Sequence, residues 1–206
     1  NAAEAWAFEF LEANLPTEYL LITNVEVPTP NGLLKEVDAI VFGKYAVYLV
    51  DVKGYSGMLN VDANSWILDG KPVDNALSKA NGVARVYAGG IKASLLRAEH
   101  APWCQGMVFV TGHEGSEITL NKVQPNLSVF DAGSIIHGLT EKEYCTTNYQ
   151  FVISQSQRKK ALDVLCRAGA LSCLMDNRFS GEKHFWSAVA VMRPRKEKNL
   201  LENIEK

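Results

Sequence analysis

The sequence predicts an α/β domain, a central mixed sheet flanked by helices, and three observations carry that expectation. Two adjacent runs, Glu36–Phe42 (EVDAIVF) and Tyr45–Lys53 (YAVYLVDVK), are apolar on both faces, so the sheet they build must be covered on both sides. Stretches of helical periodicity lie before and after them. Hydrophobic residues make up 47% of the 206, enough to fill a core under such layers.

The elements follow in order. Glu4–Leu15 has Phe8, Leu11 and Leu15 at helical spacing, and Pro16 ends the run. A strand is expected over Tyr19–Val27, then a loop at Pro28–Gly32. Glu36–Phe42 and Tyr45–Lys53 form a hairpin linked by Gly43-Lys44. Gly54–Gly57 turns the chain into a shorter hairpin, Met58–Val61 with Ser65–Leu68. Asp74 or Asn75 caps a long helix reaching about Arg97, with Leu77, Val83, Tyr87, Ile91 and Leu95 inward. Further strands are expected at Gly106–Thr111, Leu127–Phe130 and Tyr149–Ile153, and a helix from Ser154 to about Met175. The expected organisation is a core over residues 1–150 and a helical extension or linker over 151–206, leading toward a further module.

Composition excludes some functions. A formal net charge of −2 is not that of a protein that coats nucleic acid by charge alone. The acidic site of a metal-dependent enzyme is compatible with it. Cys104, Cys145, Cys166 and Cys173 form no CxxC pair and no zinc spacing, and read as reduced thiols in a cytoplasmic setting. No apolar run is long enough to span a bilayer, so no membrane partner is expected. The chain begins at Asn1 rather than Met and reads as a piece of something longer. The oligomeric state is not legible.

The chemistry lies in side-chain parity. With a two-residue link, Phe42 pairs with Tyr45, and Glu36, Asp38, Asp51 and Lys53 fall on one face of the sheet. A four-residue link preserves that result, whereas a three-residue link reverses it. Asp38 and Asp51 are then diagonal neighbours, roughly 7–8 Å apart at the backbone. Unpaired carboxylates among such apolar neighbours cost on the order of several kcal/mol. A divalent cation between them removes that cost, and Mg²⁺ (or Mn²⁺) prefers carboxylate and water oxygens. Lys53 stands beside them, placed to hold a water or to balance charge growing on a phosphate. Glu4 lies on the inward stripe of the first helix and is the candidate third carboxylate.

Acid-x-Lys alone carries little weight, because a chain of this length holds it about once or twice by composition. Asp69-Gly70-Lys71 also matches and reads as a plain turn. Asp51-Val52-Lys53 stands out by closing a buried strand with Asp38 in phase one hairpin earlier. Glu36 reads as a solvated strand-start acid. Lys79, Arg85 and Lys92 lie on the polar side of the long helix and are candidates for contact with nucleic acid. His100, His113, His137 and His184 are scattered, and Trp66 and Trp186 read as core.

At these residues the chain resembles a family. The segment EVDAIVFGKYAVYLVDVKGYSGML is similar to the centre of the nuclease-related domain (NERD), within the PD-(D/E)xK group of restriction-endonuclease-like folds. The family pattern has an acid on the first helix, an Asp after a variable loop, acid-x-Lys closing the next strand and then a Gly. Glu4, Asp38, Asp51, Lys53 and Gly57 occupy those positions. The resemblance covers most of residues 1 to about 115. It implies Mg²⁺-dependent phosphodiester cleavage, usually of DNA, in a bacterial or archaeal cytoplasm. It also implies a place at the end of a larger protein, in some cases one of phage defence. The family often continues with Asn-Pro and then Gln; Asn75-Ala76 and Lys79 stand there instead. That departure keeps an alternative open: a regulatory module that binds nucleic acid or protein on the same fold without cutting.

Overall fold

The structure, a computed structural model, describes residues 2–29, 33–95, 100–113, 117–147, 152–167 and 184–186. Its elements are α1 (Ala2–Asn14), β1 (Leu20–Pro28), β2 (Leu34–Phe42), β3 (Val47–Lys53), β4 (Gly57–Val61), β5 (Trp66–Leu68), β6 (Lys71–Val73), α2 (Ala76–Ser94), β7 (Cys104–Val110), β8 (Ile118–Lys122), β9 (Val129–Phe130), α3 (Ile135–Thr140), α4 (Gln155–Arg167) and β10 (His184–Trp186). Residues 149–151 of the strand expected at Tyr149–Ile153 lie outside the described residues. So do Arg97, the helix beyond 167, Cys173, the basic stretch Arg193–Lys198, and the side chains of Cys166, His184 and Trp186. No described helix is long and apolar enough to cross a membrane.

The fold is α/β, as the two-sided apolar strands require. A six-stranded mixed sheet runs β10-β1-β2-β3-β7-β9. One face carries Leu21, Val41, Tyr48, Val50, Met107 and Phe109 and is covered by α1 and α3 through Ala7, Leu11, Ile135 and Leu139. The other carries Ile22, Ile40, Phe42 and Leu49 and is covered by α2 and α4 through Val83, Tyr87, Ile91, Leu162 and Leu165.

A second sheet, β6-β5-β4-β8, has four strands. Its inner residues Leu59, Val61 and Trp66 pack on Val108, Val110 and Val129. The sequence reading missed β6 and β8. The reason for β6 is visible at Asp69-Gly70, where both residues have positive φ (47° and 77°), the backbone of a tight hairpin turn that favours the Asp-Gly pair. β8 pairs in parallel with β4 across a long sequence separation, a contact with no local signature.

The main hairpin corrects the expected link. Phe42 pairs with Val47, not Tyr45, so the connection is the four residues Gly43–Ala46, closed by Gly43 N–H donating to the Ala46 carbonyl at 3.0 Å. Adding two residues keeps the expected parity over the paired stretch, Ala39–Phe42 against Val47–Val50, and no further: Val37 shares a face with Ile40, so the expected placement of Asp38 on one face with Asp51 by hairpin register does not hold. α4 is tied to this corner: the Arg158 guanidinium donates to the carbonyls of Glu18 (2.7 Å) and Gly43 (3.0 Å).

Asn75, not Asp74, caps α2, its side chain accepting from Ser78 N–H at 2.9 Å. α2 runs very close to β7 at Gly106, where a Cβ would lie 2.5 Å from the Ala80 carbonyl carbon. Only glycine admits that approach, which seats α2 on β7 at Ala80 and Asn81, directly after Lys79.

Candidate metal centre at the end of the hairpin

Asp51 is the centre of the cluster. It is buried (7% exposed) on the face covered by α2, in register beside Val108 of β7. Lys53 Nζ lies 2.5 Å from its Oδ2, and Lys79 Nζ lies 3.5 Å from its Oδ1. Oδ2 is buried and its close partner is the Lys53 ammonium. Glu36, Leu49, Asp51, Lys79 and Val83 line a small open pocket here.

Asp38 arrives by a different route. The regular pairing of β2 with β3 ends at Ala39 and Val50. Beyond it, both β1 and β2 change parity: Ile22 and then Val25, Ile40 and then Val37, all face α2. The break coincides with Asn24, whose φ is +52°, opposite Asp38 in the β1–β2 register. At this kink Asp38 Oδ2 accepts the Val52 amide at 2.6 Å. The carboxylate thus replaces a ladder carbonyl of its own strand. Oδ1 has no hydrogen-bond partner among the described residues.

Burial is the largest single influence on the electrostatics of the two groups beside Asp51. Burial pushes the Asp38 carboxyl up to about 6; the Val52 amide and Lys53 oppose this, while Asp51 and Glu4 add to it. Burial draws the Lys53 ammonium down, but Asp51 and Asp38 outweigh it and leave the group above its ordinary value. That direction keeps the Lys53 ammonium charged near neutrality.

Of the residues expected at the site, Asp38, Asp51 and Lys53 come together. Glu4, on the first turn of α1, is near enough to raise Asp38. Among the described residues no three His, Cys, Asp or Glu side chains converge on one ion, so Glu4 does not complete a three-acid nest. Lys79 reaches the site directly, whereas Arg85 and Lys92 lie exposed further along α2. Glu36 is exposed, opposite Glu26. Cys104 and Cys145 are free thiols, and Trp66 is core.

Two contributors escaped the sequence reading. Gly54 packs so closely on α1 that a Cβ would meet Ala3 Cβ at 2.7 Å, and this contact seats the first helix turn beside the hairpin end. Asp69, in the turn set aside as plain, accepts Met58 N–H at 2.8 Å and lies against Gly57, whose φ of +99° is open to glycine. Its carboxylate fixes the exit from the acid-x-Lys strand. The only local signal for either was a glycine closely following Lys53.

The donor set suits a hard divalent cation. Asp51 presents a buried carboxylate whose oxygens are met only by lysine ammoniums, and Asp38 offers an oxygen nearby that the Val52 amide does not use. Two carboxylates are enough for Mg²⁺, which retains several waters. A family model described as the nuclease-related domain matches residues 1–111. Among curated proteins and among solved structures, none matches the chain.

Proposed function

This chain belongs to the nuclease-related domain family, and on that premise we propose that it is a metal-dependent nuclease that hydrolyses phosphodiester bonds in DNA. The observation that carries the reading is Asp51: a buried carboxylate, with Asp38 beside it and the protonated Lys53 against it.

Asp38 and Asp51 would hold Mg²⁺ or Mn²⁺. Such an ion, when bound, polarises a phosphate oxygen and makes its own water more acidic. Lys53 keeps a positive charge at the place where negative charge grows on the phosphate, and its amine can orient the attacking water. Glu4 adds negative potential from α1 and can act through a water. Arg85 and Lys92 extend a weakly basic track along α2 for the strand backbone. The chain would serve as the N-terminal module of a larger bacterial protein, one of phage defence being the fitting context, in the cytoplasm, with residues 151–206 leading toward the next module.

Incubating the protein with plasmid in Mg²⁺, in Mn²⁺ and in EDTA tests this. Nicking in the metals but not in EDTA, lost in Asp51→Ala while the variant stays folded, is the expected result. Salt-sensitive binding with no nicking in either metal would replace it with the second reading, a non-cleaving nucleic-acid or protein-binding regulatory module. The observation that favours that second reading is the Lys79 ammonium already resting on Asp51.

A further inference from the structure

Lys79 and Lys53 both lean on Asp51, but they are not equivalent. The Lys53 side chain is 25% exposed and its ammonium sits 2.5 Å from Oδ2. The Lys79 side chain is 65% exposed and its ammonium rests 3.5 Å from Oδ1, across the mouth of the pocket that Glu36 also lines. One lysine is packed into the site. The other reaches in from solvent on a flexible stem, from a helix turn held in place by the close Gly106 contact.

We propose that Lys79 is an exchangeable counter-ion: it neutralises Asp51 Oδ1 while the centre is empty and moves to a backbone phosphate of the nucleic acid when a divalent ion takes that oxygen. This rests on the nuclease reading above and adds regulation to it. The physical argument is charge balance. A buried carboxylate without a positive partner is costly, and since Lys53 pairs with Oδ2, Oδ1 is the oxygen left to Lys79. Lys79 supplies one at little cost, because an exposed ion pair of this length is weakly held. A dication on Asp51 repels the ammonium, which swings outward on its stem. The mouth of the pocket is where an anionic strand must lie to reach Asp51. Metal and strand binding then reinforce each other, since each removes a competitor or supplies a partner for the other. The device also weakens metal binding while no strand is present.

The test measures binding. Mn²⁺ affinity without nucleic acid is measured by titration calorimetry for the wild type, Lys79→Met and Lys79→Arg. Lys79→Met keeps the stem and removes the charge at a largely exposed helix position. It is expected to bind Mn²⁺ about two- to fivefold more tightly than wild type, and Lys79→Arg close to wild type. Duplex DNA affinity is then measured over a range of NaCl, with Ca²⁺ and with EDTA. Wild type is expected to gain DNA affinity from Ca²⁺. Lys79→Met is expected to gain less, with a salt slope shallower by about one in Ca²⁺ and unchanged in EDTA. Equal Mn²⁺ affinity in wild type and Lys79→Met, or a slope change of the same size with and without metal, overturns the exchange while leaving the nuclease reading intact. A wild-type protein that binds no Mn²⁺ removes that reading and the exchange together.

Discussion

Asp38 Oδ2 accepts the backbone amide of Val52 at 2.6 Å, so a side chain of β2 completes a bond that β2's own backbone leaves open. The carboxylate has a structural task with one oxygen and presents the other to the centre. The two tasks separate by substitution. Asp38→Asn keeps an acceptor for Val52, so its unfolding midpoint should stay near wild type while Mn²⁺ binding falls at least tenfold. Asp38→Ala leaves a part-buried amide unpaired and should cost about 1–3 kcal/mol, less whatever is regained by removing a crowded acid. Chemical denaturation of both variants, paired with metal titration, checks this. Equal stability of the two would mean that the Val52 contact contributes nothing.

The same carboxyl sets a pH dependence. Its ordinary value is 3.8 and in the folded protein it is pushed up to about 6 by burial. Between those values the folded chain holds a proton that the unfolded chain has lost. The contribution of this group to the stability of the metal-free protein therefore declines as pH rises through that window. Metal binding runs the other way, because the proton must leave first. Mn²⁺ affinity should climb about tenfold per pH unit up to about 6 and flatten above it. An affinity independent of pH between 5 and 7 would contradict this.

Lys53 is protonated, and its contribution is expected in turnover rather than in metal binding. Lys53→Met removes the charge nearest Asp51, so Mn²⁺ affinity should rise or hold while kcat falls by about two orders of magnitude or more. Kinetics and calorimetry on the same preparation separate the two effects. A variant that loses metal and turnover together would assign Lys53 a merely structural role.

Gly106 seats α2 at Ala80 and Asn81, next to Lys79. Gly106→Ala places a methyl against the backbone of Ala80 and Asn81, atoms that cannot yield without moving the helix. A loss of about 1–3 kcal/mol is expected, with Lys79 displaced from Asp51. Thermal unfolding gives the stability. An unchanged melting temperature would show that α2 can shift freely, which the close packing does not permit.

Much of this was legible because it depends on period and parity. The apolar strands announced a covered sheet, and Asp38 and Asp51 stood out because an acid in such a strand needs a reason. The link of Gly43–Ala46 keeps hairpin parity as far as Ala39 and Val50, but β2 changes parity before Val37, so the expected sharing of one face does not reach Asp38; its bond to the Val52 amide is what holds it near Asp51. The illegible parts share a cause. The β4–β8 pairing is parallel and distant in sequence. The kink at Asn24 depends on a residue adopting a left-handed backbone that Asn tolerates but does not announce. Lys79 looked like one more cation on a solvated helix face. Only the close contact at Gly106, a relation between two elements, brings it to Asp51.

The most direct measurement is the position of a bound Mn²⁺ ion, located by anomalous scattering from a crystal grown with the metal. The ion should touch carboxylate oxygens of both Asp38 and Asp51, with Lys79 drawn away. An ion bound at some other cluster, or one held by Asp51 with Asp38 still turned wholly to Val52, would contradict the shared centre from which the proposed chemistry starts.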